Sequence, residues 1–314
     1  MSFKWTPGVG PNESILALMR EAAPKPDAAM GEAWFMGETR KMFTELYDDF
    51  ESTSTQYLQE VLRDISGVAH AFGLHQEWED WFRYLLPRIV PRCDERFVHW
   101  LFENLCSAFL QIELATNNRG YGEYDRNAIL QTLGQVIMTE SRWKDGRIVV
   151  GNILHPSNKN PAKWWGWPNV SGDLAAALIV CLRLVDDRDL DGWVESIFAI
   201  DCPYWHAQLL TWHVGARVLL NEELQFPSQF KMWTANDDNR NPSICWEDSH
   251  VVGSRQGETI VAEALIPDGR IAKFKNSFEA HLAETDIGQW KDEILEVPAL
   301  RIEVGRLIKE FAVF

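Results

Sequence analysis

The longest apolar run of the chain, LAAALIVCLRLV at residues 174–185, limits what the protein can fold into. The run contains Arg183 and is shorter than the ~20 apolar residues that a bilayer-spanning helix needs. It is therefore too short to cross a membrane. The first residues, MSFKWTPGVGPNES, lack the apolar core of a secretory signal. We expect a soluble, cytoplasmic protein that has no membrane partner.

Most of the chain is patterned as amphipathic helices. Between residues 54 and 72, apolar residues recur at spacings of three and four, which is typical of a helix that buries one face. Pro87 is expected to end one helix and Pro91 to begin the next. The predicted helices cover 12–23, 31–50, 54–72, 76–86, 92–115, 126–139, 171–185, 190–200, 203–220 and about 277 to the end.

Two regions are patterned as strands. RWKDGRIVV, residues 142–150, has an Asp-Gly pair between β-prone flanks and predicts a hairpin. ICWEDSHVV, ETIVAEALI and RIAKF, residues 244–252, 258–266 and 270–274, predict three more strands, the last two joined by Pro267-Asp268-Gly269. The expected fold class is mainly α, with a small β-hairpin or β-meander element.

The chain divides into four predicted parts: a helical array over 1–140, a hairpin and tryptophan-rich loop over 141–173, helical pairs over 174–235 that continue the same core, and a β-meander with C-terminal helices over 236–314. Within the third part, LAAALIVCLRLVDDRDLDGWVESIFAI at 174–200 resembles a HEAT repeat. That family pairs two antiparallel helices across a short turn that contains Asp. The resemblance implies an irregular HEAT-like helical array or bundle, which generally serves as a protein-binding scaffold.

Charge restricts the partners. The formal net charge is −16, with −9 in residues 1–140 and −7 in residues 141–314. Such a field repels nucleic acid and anionic lipid, and it favours a basic protein partner or a cation, unless the charge serves solubility alone. The five scattered cysteines form no CxxC pair and predict buried thiols in a reducing compartment.

The run DDRDLDGWVES at 186–196 begins like an EF-hand calcium loop. Asp187, Asp189 and Asp191 fall where an EF-hand has its first three oxygen ligands, and a glycine follows. The position that needs a bidentate Glu is occupied by Phe198, which cannot bind calcium. The run therefore predicts a helix–helix turn in which Asp189 or Asp191 caps the second helix.

A second candidate site is the loop HPSNKNPAKWWGWPNVSGD at 155–173. Because Trp164, Trp165 and Trp167 lie among Pro and Gly residues, a buried helical stripe does not explain them. The loop either folds over the core as a plug or binds a partner. We expect a partner to contact these three tryptophans together with Asp187, Asp189 and Asp191.

Two other groups of residues are considered. His75, Glu77, Glu79 and Asp80 lie around two tryptophans, as in a sugar-processing site, although acids are also favoured in the first turn of a helix. His206 and His213 share a helix face but are separated by ~10.5 Å along its axis. That separation is too long for two ligands of one zinc ion, so core or interface histidines are expected.

No phosphate loop, nucleophile elbow, HExxH motif or close Cys/His pair is present, so no cofactor, metal ligand or catalytic residue is assigned. The sequence favours an acidic protein-binding or inhibitory module, and one concrete form is an immunity-type protein that neutralises a basic toxin. A carbohydrate-active hydrolase of the helical-toroid type and a cation-binding scaffold are the alternatives.

Overall fold

The computed structural model of the chain is mainly helical. It describes residues 2–27, 46, 49–62, 75–94, 101–115, 126–149, 170–221, 254–255, 258–259, 264–298 and 300–301. The helices are α1 (Glu13–Ala22), α2 (His75–Ile89), α3 (Leu101–Ala115), α4 (Arg126–Gln131), α5 (Val170–Leu184), α6 (Leu190–Phe198), α7 (Pro203–Gly215), α8 (Arg217–Leu220), α9 (Arg270–Glu284) and α10 (Ile287–Glu296). Residues 55–62 are also helical, and 3-10 turns cover Val90–Asp94, Leu133–Met138 and Glu140–Arg142.

Helix α5 carries the long apolar run and lies at the centre of the fold. Every residue from 174 to 185 is buried, including Arg183. Helices α3 and α7 and the 3-10 turn Leu133–Met138 pack around α5. Arg183 is paired with Glu113 of α3 at 2.7 Å, and the two side chains are only 4% and 6% exposed. A charge can be buried in this position because it has an opposite charge beside it.

The N-terminal segment inserts aromatic side chains into this core. Phe3 and Trp5 are 3% and 2% exposed. The indole N–H of Trp5 donates to the Gly134 carbonyl at 2.8 Å, and its backbone N–H donates to Ser196 Oγ at 2.9 Å. The ring of Trp5 meets Trp193 edge-on at 5.3 Å. Residues 2–9 therefore tie the 3-10 turn Leu133–Met138 to α6.

The predicted hairpin is confirmed. Strands β1 (Trp143–Lys144) and β2 (Arg147–Ile148) are antiparallel, with Trp143 opposite Ile148. The connecting Asp145 and Gly146 have φ values of 52° and 73°, which is the conformation that a type I′ turn requires and that Asp-Gly tolerates. A second small antiparallel pair joins β3 (Ser254–Arg255) to β4 (Glu258–Thr259). The mainly α fold class with a small β-element is thus confirmed.

The predicted strand RIAKF is wrong. Arg270 begins α9, a helix that buries Ile271, Phe274 and Phe278 on one face. The five residues include β-prone Ile271 and Phe274, but the spacing of three and four from Ile271 through Phe274 to Phe278 is helical. The β-meander predicted for 236–314 is therefore reduced to β3 and β4 in the residues that the structure describes. The strand predicted over 244–252 lies outside those residues.

Three helices also differ from the prediction. Pro87 lies inside α2, which continues to Ile89. Its carbonyl accepts a hydrogen bond from Arg20 Nε of α1 at 3.1 Å, so tertiary contacts support the helix beyond the proline. Of the helix predicted over 92–115, the structure describes the residues up to Asp94 as part of a 3-10 turn and Leu101–Ala115 as α3. The helix predicted over 203–220 is divided into α7 and α8.

The buried apolar residues form one cluster that runs from Phe3 to Leu300. Cys93, Cys106, Cys181 and Cys202 are free thiols within it, as predicted, and Cys245 lies outside the described residues. Among the described helices, none combines the length and apolar character that crossing a bilayer requires. The division of the chain into four parts remains a prediction.

Candidate interaction surface around the acidic turn

The acidic turn joins α5 to α6 and is held by α9. Asp187, in this turn, pairs with Arg270 Nη2 at 3.1 Å and with the ammonium group of Lys273. The hydrogen bond from Lys273 and the charge of Arg270 hold the pKa of Asp187 below its ordinary value. The carboxylate that begins the EF-hand-like run is therefore neutralised within the protein.

Arg270 also caps the C-terminal end of α5. Its guanidinium donates to the carbonyls of Leu182 at 3.4 Å and Arg183 at 3.3 Å, and it contacts the carbonyl of Val185. These carbonyls belong to the last turn of α5, where no helical N–H remains to bond them. The positive charge also complements the negative end of the helix dipole. Arg270 thus links the end of α5, the turn and α9.

The other two aspartates of the turn have different surroundings. Asp189 occupies the N-cap position of α6 but makes no capping hydrogen bond through its side chain. Its carboxylate instead lies 3.7 Å from Arg188 Nε. Asp191 is exposed in the first turn of α6, where its negative charge interacts favourably with the positive end of the helix dipole. The turn is therefore stabilised by ion pairs and dipole effects, without a side-chain cap.

The geometry offers no cation site here. In the part of the chain that the structure describes, no three His, Cys, Asp or Glu side chains form a group that could hold a metal ion. Phe198, at the twelfth position of the EF-hand-like run, packs against the ring of Phe278 at 4.8 Å. The residue that should close a calcium loop thus belongs to the aromatic core.

The turn belongs to a larger acidic region, which we call the acidic layer. It comprises residues 186–201, with α6, and residues 264–298, with α9 and α10. These two segments contain thirteen acidic and five basic residues, a net charge of −8 within a chain of −16. Helix α6 packs most extensively on α9. Half of the net charge of the chain is therefore collected on one set of adjoining helices.

Aromatic rings hold the three helices of the acidic layer together. Phe198, at the end of α6, contacts the rings of Phe278 and His281 in α9 at 4.8 and 5.5 Å. It also stacks on Trp290 of α10 at 6.0 Å. The charged groups thus project from a scaffold with a packed interior, which fixes their relative positions.

Several predicted site residues cannot be compared with this region, and one other is buried. Trp164, Trp165 and Trp167 lie outside the described residues, as do the side chains of His75 and Glu77. Trp81, one of the two tryptophans considered as a sugar platform, is fully buried and meets Tyr84 edge-on at 5.8 Å. Its face is therefore not available for stacking on a sugar.

The sequence interpretation missed Arg270, Lys273 and the acids of α10. Because the sequence predicts a strand at RIAKF, it does not predict the pairing of Arg270 and Lys273 with the acidic turn. The signal was present in the spacing of Ile271, Phe274 and Phe278, which predicts a helix with Arg270 and Lys273 one turn apart.

Comparison of the chain with protein-family models, with curated proteins and with solved structures found no match. The HEAT-like resemblance remains a prediction. Helices α5 and α6, which carry it, make their most extensive contacts with α3 and α9 respectively.

Proposed function

We propose that this protein is an acidic protein-binding module that inhibits a basic protein partner through the acidic layer. A concrete form of this function is an immunity-type protein that neutralises a basic toxin. The observation that carries the proposal is the concentration of charge: the acidic layer has a net charge of −8. A positively charged protein surface is the complementary partner for such a region.

The acids of this layer are available to a partner. Asp191, Asp268, Asp292 and Glu296 are exposed and form no ion pair with any described residue. Across the described part of the chain, exposed acidic residues outnumber exposed basic residues by more than two to one. This excess of acidic groups generates a field that steers a basic protein toward the surface.

The packed aromatic interior of the acidic layer supports the same function. Inhibitory complexes gain affinity when the binding groups are held in place before association, because less conformational entropy is lost. The ring contacts of Phe198 with α9 and α10 hold the three helices together. The tryptophans Trp164, Trp165 and Trp167 remain predicted contacts that would add apolar area next to the acids.

The test begins with affinity capture from a lysate of the native host, followed by kinetic measurement with the purified partner. We expect the association rate constant to fall steeply as salt is added, because the field is screened within about 10 Å at 0.1 M ionic strength. The double variant Asp292→Lys with Glu296→Lys should slow association by at least about tenfold, since rim charges act mainly on this rate.

The matched control reverses two charges elsewhere. Glu21 of α1 and Glu60 in the helical segment 55–62 are also exposed. Helix α1 makes its main contacts with α2, and it is distant in the chain from α6, α9 and α10. Glu21→Lys with Glu60→Lys changes the net charge equally and should have a much smaller effect. Equal effects of the two double variants, or an affinity that salt does not change, would contradict the proposal.

A further inference from the structure

His206 of α7 lies in an unusual environment for an ionisable group. The residue is 3% exposed. Its ring stacks on the indole of Trp290 in α10, with centroids 3.9 Å apart and planes at 6°. Nε2 lies 3.0 Å from the Ile200 carbonyl, and Nδ1 lies 3.5 Å from Glu293 Oε2 of α10. The two ring nitrogens therefore face two hydrogen-bond acceptors.

Two acceptors cannot both be satisfied by a neutral imidazole, which has one N–H. With the proton on Nε2 the ring donates to Ile200, and the lone pair of Nδ1 then faces the Glu293 carboxylate. Nδ1 accordingly has no hydrogen-bond partner. Protonation of the ring would satisfy both acceptors, but it would place a positive charge in a buried position, which burial disfavours. Each protonation state of the ring therefore has a free-energy cost: the neutral ring leaves one acceptor without a donor, and the protonated ring buries a charge.

The ring is also the surface on which α10 docks. Helix α10 buries two side chains, Trp290 and Ile294, and most of its other residues are exposed or half-buried. Trp290 is the one that covers His206. Few buried contacts make a helix prone to local opening. A change of charge on His206 therefore acts directly on one of the two buried anchors of α10.

We propose that α10 is an acid-released latch: uptake of a proton by His206 weakens the docking of α10 on α7. The charged groups that act on the ring within the described residues are Glu293 of α10 and Asp201, which precedes α7. Both carboxylates favour the charged form of the ring, so they oppose the release of α10 on protonation. Helices α5 and α8 and strand β2 also pack on α7, and none of their described residues contributes a charged group that acts on the ring. The Ile200 carbonyl is uncharged.

The direction of the effect follows from burial. Burial lowers the pKa of His206 below its ordinary value of 6.5, while Glu293, the Ile200 carbonyl and Asp201 oppose this shift. When α10 is open, the ring meets water and regains its ordinary pKa. Docking of α10 is therefore complete above about pH 6.5 and weakens as the pH falls from there toward the lowered pKa. One proton changes the opening equilibrium by at most tenfold per pH unit.

Hydrogen exchange of the full-length protein tests the latch. Protection factors, which correct for the intrinsic pH dependence of exchange, are measured for the α10 amides and for the central helix α5 between pH 7.5 and 5.5. We expect the protection of α10 to fall several-fold relative to α5 as the pH decreases. Constant protection of α10 relative to α5, or a rise toward low pH, overturns the proposal.

Two variants identify the group that titrates. His206→Phe keeps an aromatic ring against Trp290 and should make the relative protection of α10 independent of pH. Glu293→Gln removes the carboxylate that favours the charged ring, so its loss of α10 protection at pH 5.5 should exceed that of the wild type. Persistent pH dependence of α10 protection in a folded His206→Phe variant, or a smaller loss of protection in Glu293→Gln, excludes His206 as the group that controls the latch.

Discussion

Removal of Trp5 should destabilise the whole fold, although the residue lies near one end of the chain. Trp5 is 2% exposed and sits edge-on against Trp193 at 5.3 Å and Trp205 at 6.0 Å. Replacing a buried tryptophan by alanine costs about 3–5 kcal/mol of unfolding free energy, because contacts are lost and a cavity remains. That loss is a large share of the roughly 5–15 kcal/mol that stabilises a typical protein.

The substitution Trp5→Phe separates the ring from its hydrogen bond. Phenylalanine keeps part of the aromatic packing but cannot donate to the Gly134 carbonyl, which Trp5 reaches at 2.8 Å. Loss of this buried hydrogen bond costs about 0.5–1.5 kcal/mol, because the Cys181 thiol at 3.9 Å remains as a weak donor to the same carbonyl. We therefore expect Trp5→Phe to fall between the wild type and Trp5→Ala in stability.

Urea denaturation followed by circular dichroism measures these differences, with an unchanged slope as evidence that only stability has altered. Thr6→Ala is the matched control, because Thr6 is exposed in the same segment and surface changes are usually within about 0.5 kcal/mol. A loss below about 1 kcal/mol for Trp5→Ala would refute the docking of the N-terminal segment in the core.

Three further substitutions test single features of the fold by the same denaturation assay. Gln208 is fully buried and neither of its amide atoms has a hydrogen-bond partner, so Gln208→Met should raise stability by about 1–2 kcal/mol; a loss would mean that the amide is satisfied by water. Asp173→Asn removes the charge 2.7 Å from the buried Arg142 guanidinium and should cost about 3 kcal/mol, whereas no loss would show that Arg142 is not buried as an ion pair. Asp187→Asn weakens the pairs with Lys273, which is exposed, and with Arg270, whose side chain is 11% exposed; because the Asp187 side chain is itself 51% exposed, the effect should be small and should decrease at high salt. An effect of Asp187→Asn that persists at high salt would indicate a structural role beyond charge.

Features that depend on neighbouring residues could be predicted from the sequence. Asn12 caps α1 by accepting from the Ile15 N–H at 3.1 Å, and the Asp145–Gly146 pair forms the predicted turn. The helices α5 and α6 begin and end within one or two residues of their predicted bounds because periodicity and turn residues act locally. The strand prediction for RIAKF is wrong because five residues are too few to distinguish a period of two from a period of three to four.

The candidate site could be predicted only in part. The acidic turn is visible in the sequence, and Phe198 at its twelfth position is incompatible with a complete EF-hand calcium loop. The partners of Asp187 could not be predicted, because Arg270 and Lys273 lie more than eighty residues away in the chain. A pairing of this kind depends on which helices become adjacent, and the periodicity of one helix carries no information about its neighbour.

The sequence alone determined the helical class and the acidic character, since these follow from periodicity and composition and do not depend on how the helices pack. Only the tertiary structure decided that Trp5 enters the core, that Arg183 meets Glu113, and that half of the net charge gathers on α6, α9 and α10. The physical reason is that these features are contacts between segments distant in the chain, and their free energy exists only after the helices have packed.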